Sequence, residues 1–198
     1  GGSSGNIHDL AHLSGQLIFA EKGFSGLSLC SVDFAFGCFH GFLDTAFRND
    51  ISQLPEAEKG CAALGPTATG PVASCIHGIG HGVASFYKTQ DLKSALVTCD
   101  SLRASSAPYC YDGVFMEFER NAIQTFYDAN KPLYPCDTLD QKYVFSCGRN
   151  QPQVLRGRFN KNYADIASIC LKAQSAEFKT ACVDSLGFMA ASMGAGVP

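Results

Sequence analysis

The stretch Ser74-Cys75-Ile76-His77-Gly78-Ile79-Gly80-His81-Gly82 places two histidines four residues apart, beside a cysteine and among small residues. On an α-helix, positions i and i+4 lie on one face, one above the other. Two imidazoles in this arrangement can bind one metal ion, as paired histidines do in helical zinc sites. Other parts of the chain repeat this stretch in altered form. The stretch of residues 74–82 therefore indicates both a helical repeat and a candidate metal site.

The ten cysteines form two series that each recur about every 36 residues, a period typical of stacked helical hairpins. One series is Cys30, Cys61, Cys99, Cys136 and Cys170, and the other is Cys38, Cys75, Cys110, Cys147 and Cys182. We expect a helix A to end near each cysteine of the first series and a helix B to begin near each cysteine of the second. Pro132 and Pro135 should interrupt the chain between the third and fourth hairpins.

This register predicts one disulfide within each hairpin. The expected pairs are Cys30–Cys38, Cys61–Cys75, Cys99–Cys110, Cys136–Cys147 and Cys170–Cys182. Free thiols that serve as small buried residues are the alternative. Disulfides persist in oxidising compartments, so the pattern predicts a secreted or otherwise extracytoplasmic protein.

The repeat period predicts an all-α fold, a single repeat solenoid that spans residues 6–198. The approximate units are 6–38, 39–75, 76–110, 111–147, 148–182 and 183–198. Residues 1–5 read Gly-Gly-Ser-Ser-Gly, which is typical of an expression remnant. Helical apolar spacing within residues 91–96 and 163–167 agrees with the helix A positions.

The period and the cysteine pairing resemble the Sel1-like helical repeats of cysteine-rich secreted proteins. This resemblance implies a fold of paired helices. The Gly/Ala/Tyr signature of those repeats does not occur in this chain, so the resemblance implies nothing about activity.

Composition restricts the classes of protein to consider. Apolar residues make up 46% of the chain and charged residues 17%, which is typical of a globular protein. The net charge of -3 argues against nucleic-acid binding, which usually requires a basic surface. No apolar run reaches the roughly 18 residues of a transmembrane helix. The glycines around His81 lack the strand and helix context of a nucleotide-binding loop.

All five histidines follow the cysteine register. His77 and His81 precede Cys99 by the same intervals at which His8 and His12 precede Cys30. Residues 7–12 therefore correspond to the helix B of an incomplete unit in which Asn6 stands at the cysteine position. Four pairs in successive units are competent to bind a metal: His8/His12, His40/Asp44, His77/His81 and Asp112/Glu117.

Equivalent positions of a helical solenoid lie on one surface, so these pairs should converge if that surface is curved. Glycines beside them would let neighbouring backbones approach closely. We predict His8, His12, His40, Asp44, His77 and His81 as metal ligands, and Asp112 and Glu117 as catalytic carboxylates or further partners of the metal. The ion would be iron, copper or zinc, and either one or two ions fit this donor set.

The leading prediction is a metal-dependent enzyme with a His/carboxylate centre, an oxidoreductase ahead of a hydrolase. Its substrate would be a small molecule or a peptide. Two alternatives remain open: a disulfide-rich module that binds metal or another protein without catalysis, and a purely structural row of polar side chains.

Overall fold

The computed structural model describes residues 4–48, 50–67 and 69–192, with side chains from residue 7 onward. Part of the predicted expression remnant, residues 1–3, lies outside this range, as do residues 193–198 of the last predicted unit. The described residues form helices and turns with no strand. The prediction of an all-α fold is confirmed for this part of the chain.

Nine α-helices lie within the described residues. They are α1 (Ser4–Lys22), α2 (Gly37–Phe47), α3 (Leu54–Ala62), α4 (Pro71–Phe86), α5 (Leu92–Cys99), α6 (Ala107–Asn121), α7 (Gln141–Gly157), α8 (Tyr163–Lys172) and α9 (Ala176–Ser192). Short 3-10 helices cover Gly23–Leu29, Ile51–Gln53 and Cys136–Thr138.

Local sequence explains several helix ends. Asp91 precedes α5, and its carboxylate accepts a hydrogen bond from the Ser94 amide at 3.0 Å. Asn162 caps α8 in the same way through the amide of Asp165. Proline occupies the first turn of both α3 and α4, where its missing N–H would have no partner within the helix. Capping of this kind typically contributes about 1 kcal/mol to a helix.

All five predicted disulfides are present, and no described cysteine is free. Each links one helix or turn to the first half of the next helix. In the chain-entropy model, closing loops of this length contributes roughly 2–3 kcal/mol per disulfide. The bridges therefore fix the hairpins that the cysteine spacing predicts.

Two hairpins differ from the expected form. Cys136 lies in a 3-10 turn rather than at the end of an α-helix, because Pro132 and Pro135 prevent a continuous helix before it. Gly23 adopts a positive φ of 54°, and at this residue α1 gives way to the 3-10 helix Gly23–Leu29. Cys30 follows this 3-10 helix. In these two hairpins the first-series cysteine therefore lies in or directly after a short 3-10 helix instead of at the end of an α-helix.

The chain forms two compact units, residues 1–121 and 122–198. The single-domain organisation expected from the period stays a prediction. In the first unit, α1 packs on α2, α2 on α4, and α4 on α6. Fully buried aromatic and aliphatic side chains fill this unit, among them Phe39, Phe42, Phe47, Ile76, Ile79 and Phe118.

The second unit is built from α7, α8 and α9, with α9 packed on both other helices. The Gln151 side chain anchors the irregular segment before α7 by donating hydrogen bonds to the carbonyl oxygens of Pro132 and Tyr134, at 2.6 and 3.2 Å. Arg158 donates to the Ala122 carbonyl at 3.0 Å. These bonds satisfy backbone acceptors that no regular element pairs.

No helix in the described part of the chain has both the length and the apolar character needed to cross a bilayer.

Candidate metal centre

The structure gathers all five histidines into one cluster in the first unit. His8 and His12 come from α1, His40 from α2, and His77 and His81 from α4. His40 lies in the middle: its ring centroid is 5.8 Å from His8, 5.4 Å from His12, 5.8 Å from His77 and 4.4 Å from His81. The convergence that the repeat register predicts is therefore present in the fold.

Glycine makes this convergence possible at the helix crossings. A Cβ on Gly41 of α2 would overlap the carbonyl oxygen of His12, and a Cβ on Gly113 of α6 would overlap that of His77. Similar overlaps with neighbouring backbone would arise at Gly15, Gly80 and Gly82. Only glycine allows helices to cross at this distance, so the prediction of close backbone approach is confirmed.

Two sets of three histidines have the geometry of a metal site. They are His8/His12/His40 and His40/His77/His81, and in each the candidate ligand nitrogens lie within 4.8 Å of one another. Two ligands of one ion can be at most about 4.2 Å apart when each metal–nitrogen bond is about 2.1 Å. If the longest nitrogen–nitrogen distances shortened by about 0.6 Å, which small side-chain rotations allow, either set could bind one ion.

Each pair spaced i, i+4 points its Nε2 atoms at each other. The Nε2–Nε2 distance is 3.0 Å for His8 and His12 and 3.1 Å for His77 and His81. With metal–nitrogen bonds of about 2.05 Å, these distances correspond to N–metal–N angles of about 95°, and a tetrahedral angle would need about 0.3 Å more. Both pairs thus have nearly the spacing that a shared ion requires.

Hydrogen bonds on the opposite ring nitrogens orient these imidazoles. The Nδ1–H of His81 donates to the Glu117 carboxylate at 2.7 Å. The Nδ1–H of His8 donates to the main-chain carbonyl of Phe34, also at 2.7 Å. Neither oxygen can donate to the ring, so a neutral His8 or His81 keeps the lone pair on Nε2. Metal-binding histidines are usually fixed by such a bond to a carboxylate or carbonyl.

The environment of His40 and of His12 disfavours protonation of their rings. Burial, reinforced by the neighbouring imidazoles, holds the pKa of His40 far below its usual range. Burial and the adjacent His8 also lower the pKa of His12. Since a metal ion binds only a deprotonated ring nitrogen, both shifts favour binding over protonation near neutral pH.

Glu117 is ionised in this setting. Burial alone would raise the pKa of its carboxyl group, but the hydrogen bond and the charge interaction with His81, together with a hydrogen bond from Asn121, lower it overall. The Asn121 amide donates to the second carboxylate oxygen at 2.5 Å. Glu117 therefore presents a fixed negative charge to the outer nitrogen of His81.

The predicted carboxylates take different places. Among the described residues, both candidate sets contain histidines alone, so Asp44, Asp112 and Glu117 are not members. Asp44 instead forms an ion pair with Arg48 at 3.5 Å and leaves a third of its side chain exposed. Asp112 is buried on α6. Ligand and catalytic roles for all three remain predictions.

Sequence reasoning did not identify two groups that form hydrogen bonds around the histidine cluster. Asn121 lies four residues after Glu117 on α6, a spacing that places them on one helix face and could have indicated the pair. The Phe34 carbonyl belongs to the main chain, so no residue type signals its role.

Comparison of this chain with known protein families, with curated proteins and with solved structures finds no match.

Proposed function

We propose that this chain is a metal-dependent enzyme whose histidine cluster binds a transition metal ion, and that it is an oxidoreductase rather than a hydrolase. The observation that carries the proposal is the pair of histidine triads around His40, with ligand nitrogens within 4.8 Å in each. A purely structural role explains poorly why every histidine of the chain enters one cluster.

The donor set supports copper or zinc ahead of iron. Imidazole suits all three ions, whereas carboxylates, which favour harder ions, lie outside both triads in the described residues. Copper has the highest affinity among divalent first-row ions for such sites, and it changes oxidation state. This preference supports oxidation over hydrolysis, for which zinc would lower the pKa of a bound water.

The carboxylates would assist the metal rather than bind it. Glu117 would fix the orientation of His81 and raise its basicity through the Nδ1–H bond. Asp112 remains the proposed group for proton transfer, since it is buried on α6 beside Gly113, which contacts the His77 backbone. The substrate would be a small molecule or a peptide.

The scaffold would be a repeat solenoid. The stepwise packing of α1, α2, α4 and α6, with equivalent positions brought to one cluster, supports this arrangement. Five disulfides support an extracytoplasmic, secreted protein, because such bonds persist in oxidising compartments.

Elemental analysis of protein purified without added metal tests the proposal. We expect copper, iron or zinc in stoichiometric amount, with copper or iron supporting oxidation and zinc alone supporting hydrolysis. His77→Ala should lower the metal content while far-UV circular dichroism stays close to that of the wild type, because the disulfides remain. Full metal occupancy in the folded variant would refute the site.

A non-catalytic metal-binding module is the second candidate. The number of clustered imidazoles favours this second function, because five are more than enough to fill the four ligand positions of a closed tetrahedral site. Adding azide to the copper-loaded protein separates the two functions. A new azide-to-copper absorption band indicates an open coordination position and supports an enzyme, whereas an unchanged spectrum indicates a saturated ion.

A further inference from the structure

His40 is the one histidine that both triads share. His40 lies on α2 between the pair from α1 and the pair from α4. Each outer pair already has its Nε2 atoms 3.0–3.1 Å apart, and each has one ring fixed from behind by an oxygen acceptor. The cluster therefore resembles two half-sites on either side of one ring.

His40 is almost fully buried. Only 6% of the residue is exposed, and its Nε2 has no hydrogen-bond partner among the described residues. Leaving a buried polar atom unpaired costs about 1–3 kcal/mol. A bound metal ion is one of the few partners that would satisfy this nitrogen among so many imidazoles.

We infer that the centre is dinuclear, with His40 as an imidazolate bridge between one ion on His8 and His12 and a second on His77 and His81. This inference rests on the proposed metal function. Each ion would receive two Nε2 atoms from an outer pair and one nitrogen of His40. The ring of His40 would lose its last N–H proton to solvent as the second ion binds.

The geometry of a single ring sets the separation of the two ions. Two bonds of about 2 Å on opposite sides of an imidazole place the ions about 6 Å apart. Repulsion at this distance is reduced by the negative charge of the bridge and, on one side, by ionised Glu117 behind His81. Neighbouring Asp44 supplies negative charge near His12 on the other side.

Copper titration of the metal-free full-length protein tests the bridge without any substitution. We expect two copper(II) ions per chain by elemental analysis after removal of excess metal. Imidazolate couples two copper(II) spins antiferromagnetically, so the low-temperature electron paramagnetic resonance signal should integrate to much less than two spins per chain.

Single-site variants provide the matched controls. His12→Gln and His77→Gln should each bind one copper ion rather than two, and each should restore a full one-spin signal. Two ions with two uncoupled spins would overturn the bridge, and one ion per wild-type chain would overturn the dinuclear centre while leaving the proposed metal function intact. No bound copper, zinc or iron would refute the proposed function itself.

Discussion

At the scale of single residues, the tautomers of the outer histidines determine what the cluster can bind. A carboxylate behind His81 and a carbonyl behind His8 both leave Nε2 as an acceptor. In the metal-free protein, the Nε2–H of His12 and of His77 can then donate to these acceptors. A metal ion would take the place of the shared proton in each pair, and the neutral ring of His12 or His77 would then carry its proton on Nδ1.

Glu117→Gln tests the role of the carboxylate. The substituted amide can still accept a hydrogen bond from His81, but it carries no charge and makes the ring a weaker donor to the metal. We expect metal affinity to fall by about 10- to 100-fold, as is typical for partners of metal-binding histidines. A competitive chelator titration measures this change.

Glu21→Gln is the control, since Glu21 is an exposed glutamate on α1 of the same unit. The metal affinity of this control variant should match that of the wild type. Equal affinities for both variants would show that Glu117 does not act on the metal through His81.

The lowered pKa values of His40 and His12 predict acid sensitivity of the metal-free protein. An unfolded chain binds protons at these histidines below about pH 6.5, whereas the folded protein resists protonation. The free energy of unfolding should therefore fall as the pH drops below about 6.5. His40 alone accounts for at most about 1.4 kcal/mol per pH unit, and the half-buried His12 for less.

Denaturant unfolding of the metal-free protein at pH 7.5, 6.5 and 5.5 measures this slope. His40→Leu removes the strongest of these contributions and should flatten it between pH 6.5 and 5.5. If the wild type and the variant lose stability equally over that range, His40 is not the buried neutral group that the structure shows.

At the scale of helices, glycine controls how closely α1, α2, α4 and α6 approach. Gly113→Ala would place a methyl group against the His77 carbonyl and push α6 away from α4. We expect the free energy of unfolding to drop by about 1–3 kcal/mol, as for other overpacked contacts. Metal affinity should fall as well, because Glu117 and His81 lie on opposite sides of this crossing. Urea unfolding and metal titration provide the two measurements.

Gly187→Ala in α9 is the matched control, because nothing lies within 4 Å of the added Cβ. It should be neutral or stabilise the helix by about 0.5–1 kcal/mol. A Gly113 variant as stable as the Gly187 variant would show that the α4–α6 crossing tolerates a side chain.

The cysteine register was enough to predict the disulfides and the helix B segments, and it predicted convergence of the histidines on condition that their shared surface is curved. A fixed period places equivalent residues on one surface, whatever the details of packing. The orientation of the Asp44 side chain could not be predicted this way. The register gives its position on the helix, but not whether it faces the cluster or Arg48. The 3-10 turn at Cys136 and the Phe34 carbonyl depend on local backbone geometry that spacing does not encode.

At the scale of the whole molecule, the candidate metal centre lies within one of the two units. The first unit contains α1 to α6, three disulfides, all five histidines and Glu117. The second contains α7 to α9 and two disulfides, and residues 122–198 include no histidine. Metal binding should therefore depend on the first unit alone.

This division predicts that a fragment of residues 1–121 folds and binds the same number of metal ions as the full chain. Its length is sufficient for a hydrophobic core, and its three disulfides reduce the entropy of its unfolded state. Disulfide mapping and circular dichroism would establish that the fragment is folded, and elemental analysis would give its metal content. Residues 122–198, prepared in the same way, should bind no metal. A folded 1–121 fragment without metal, beside a full chain that retains it, would mean that the second unit supplies part of the site.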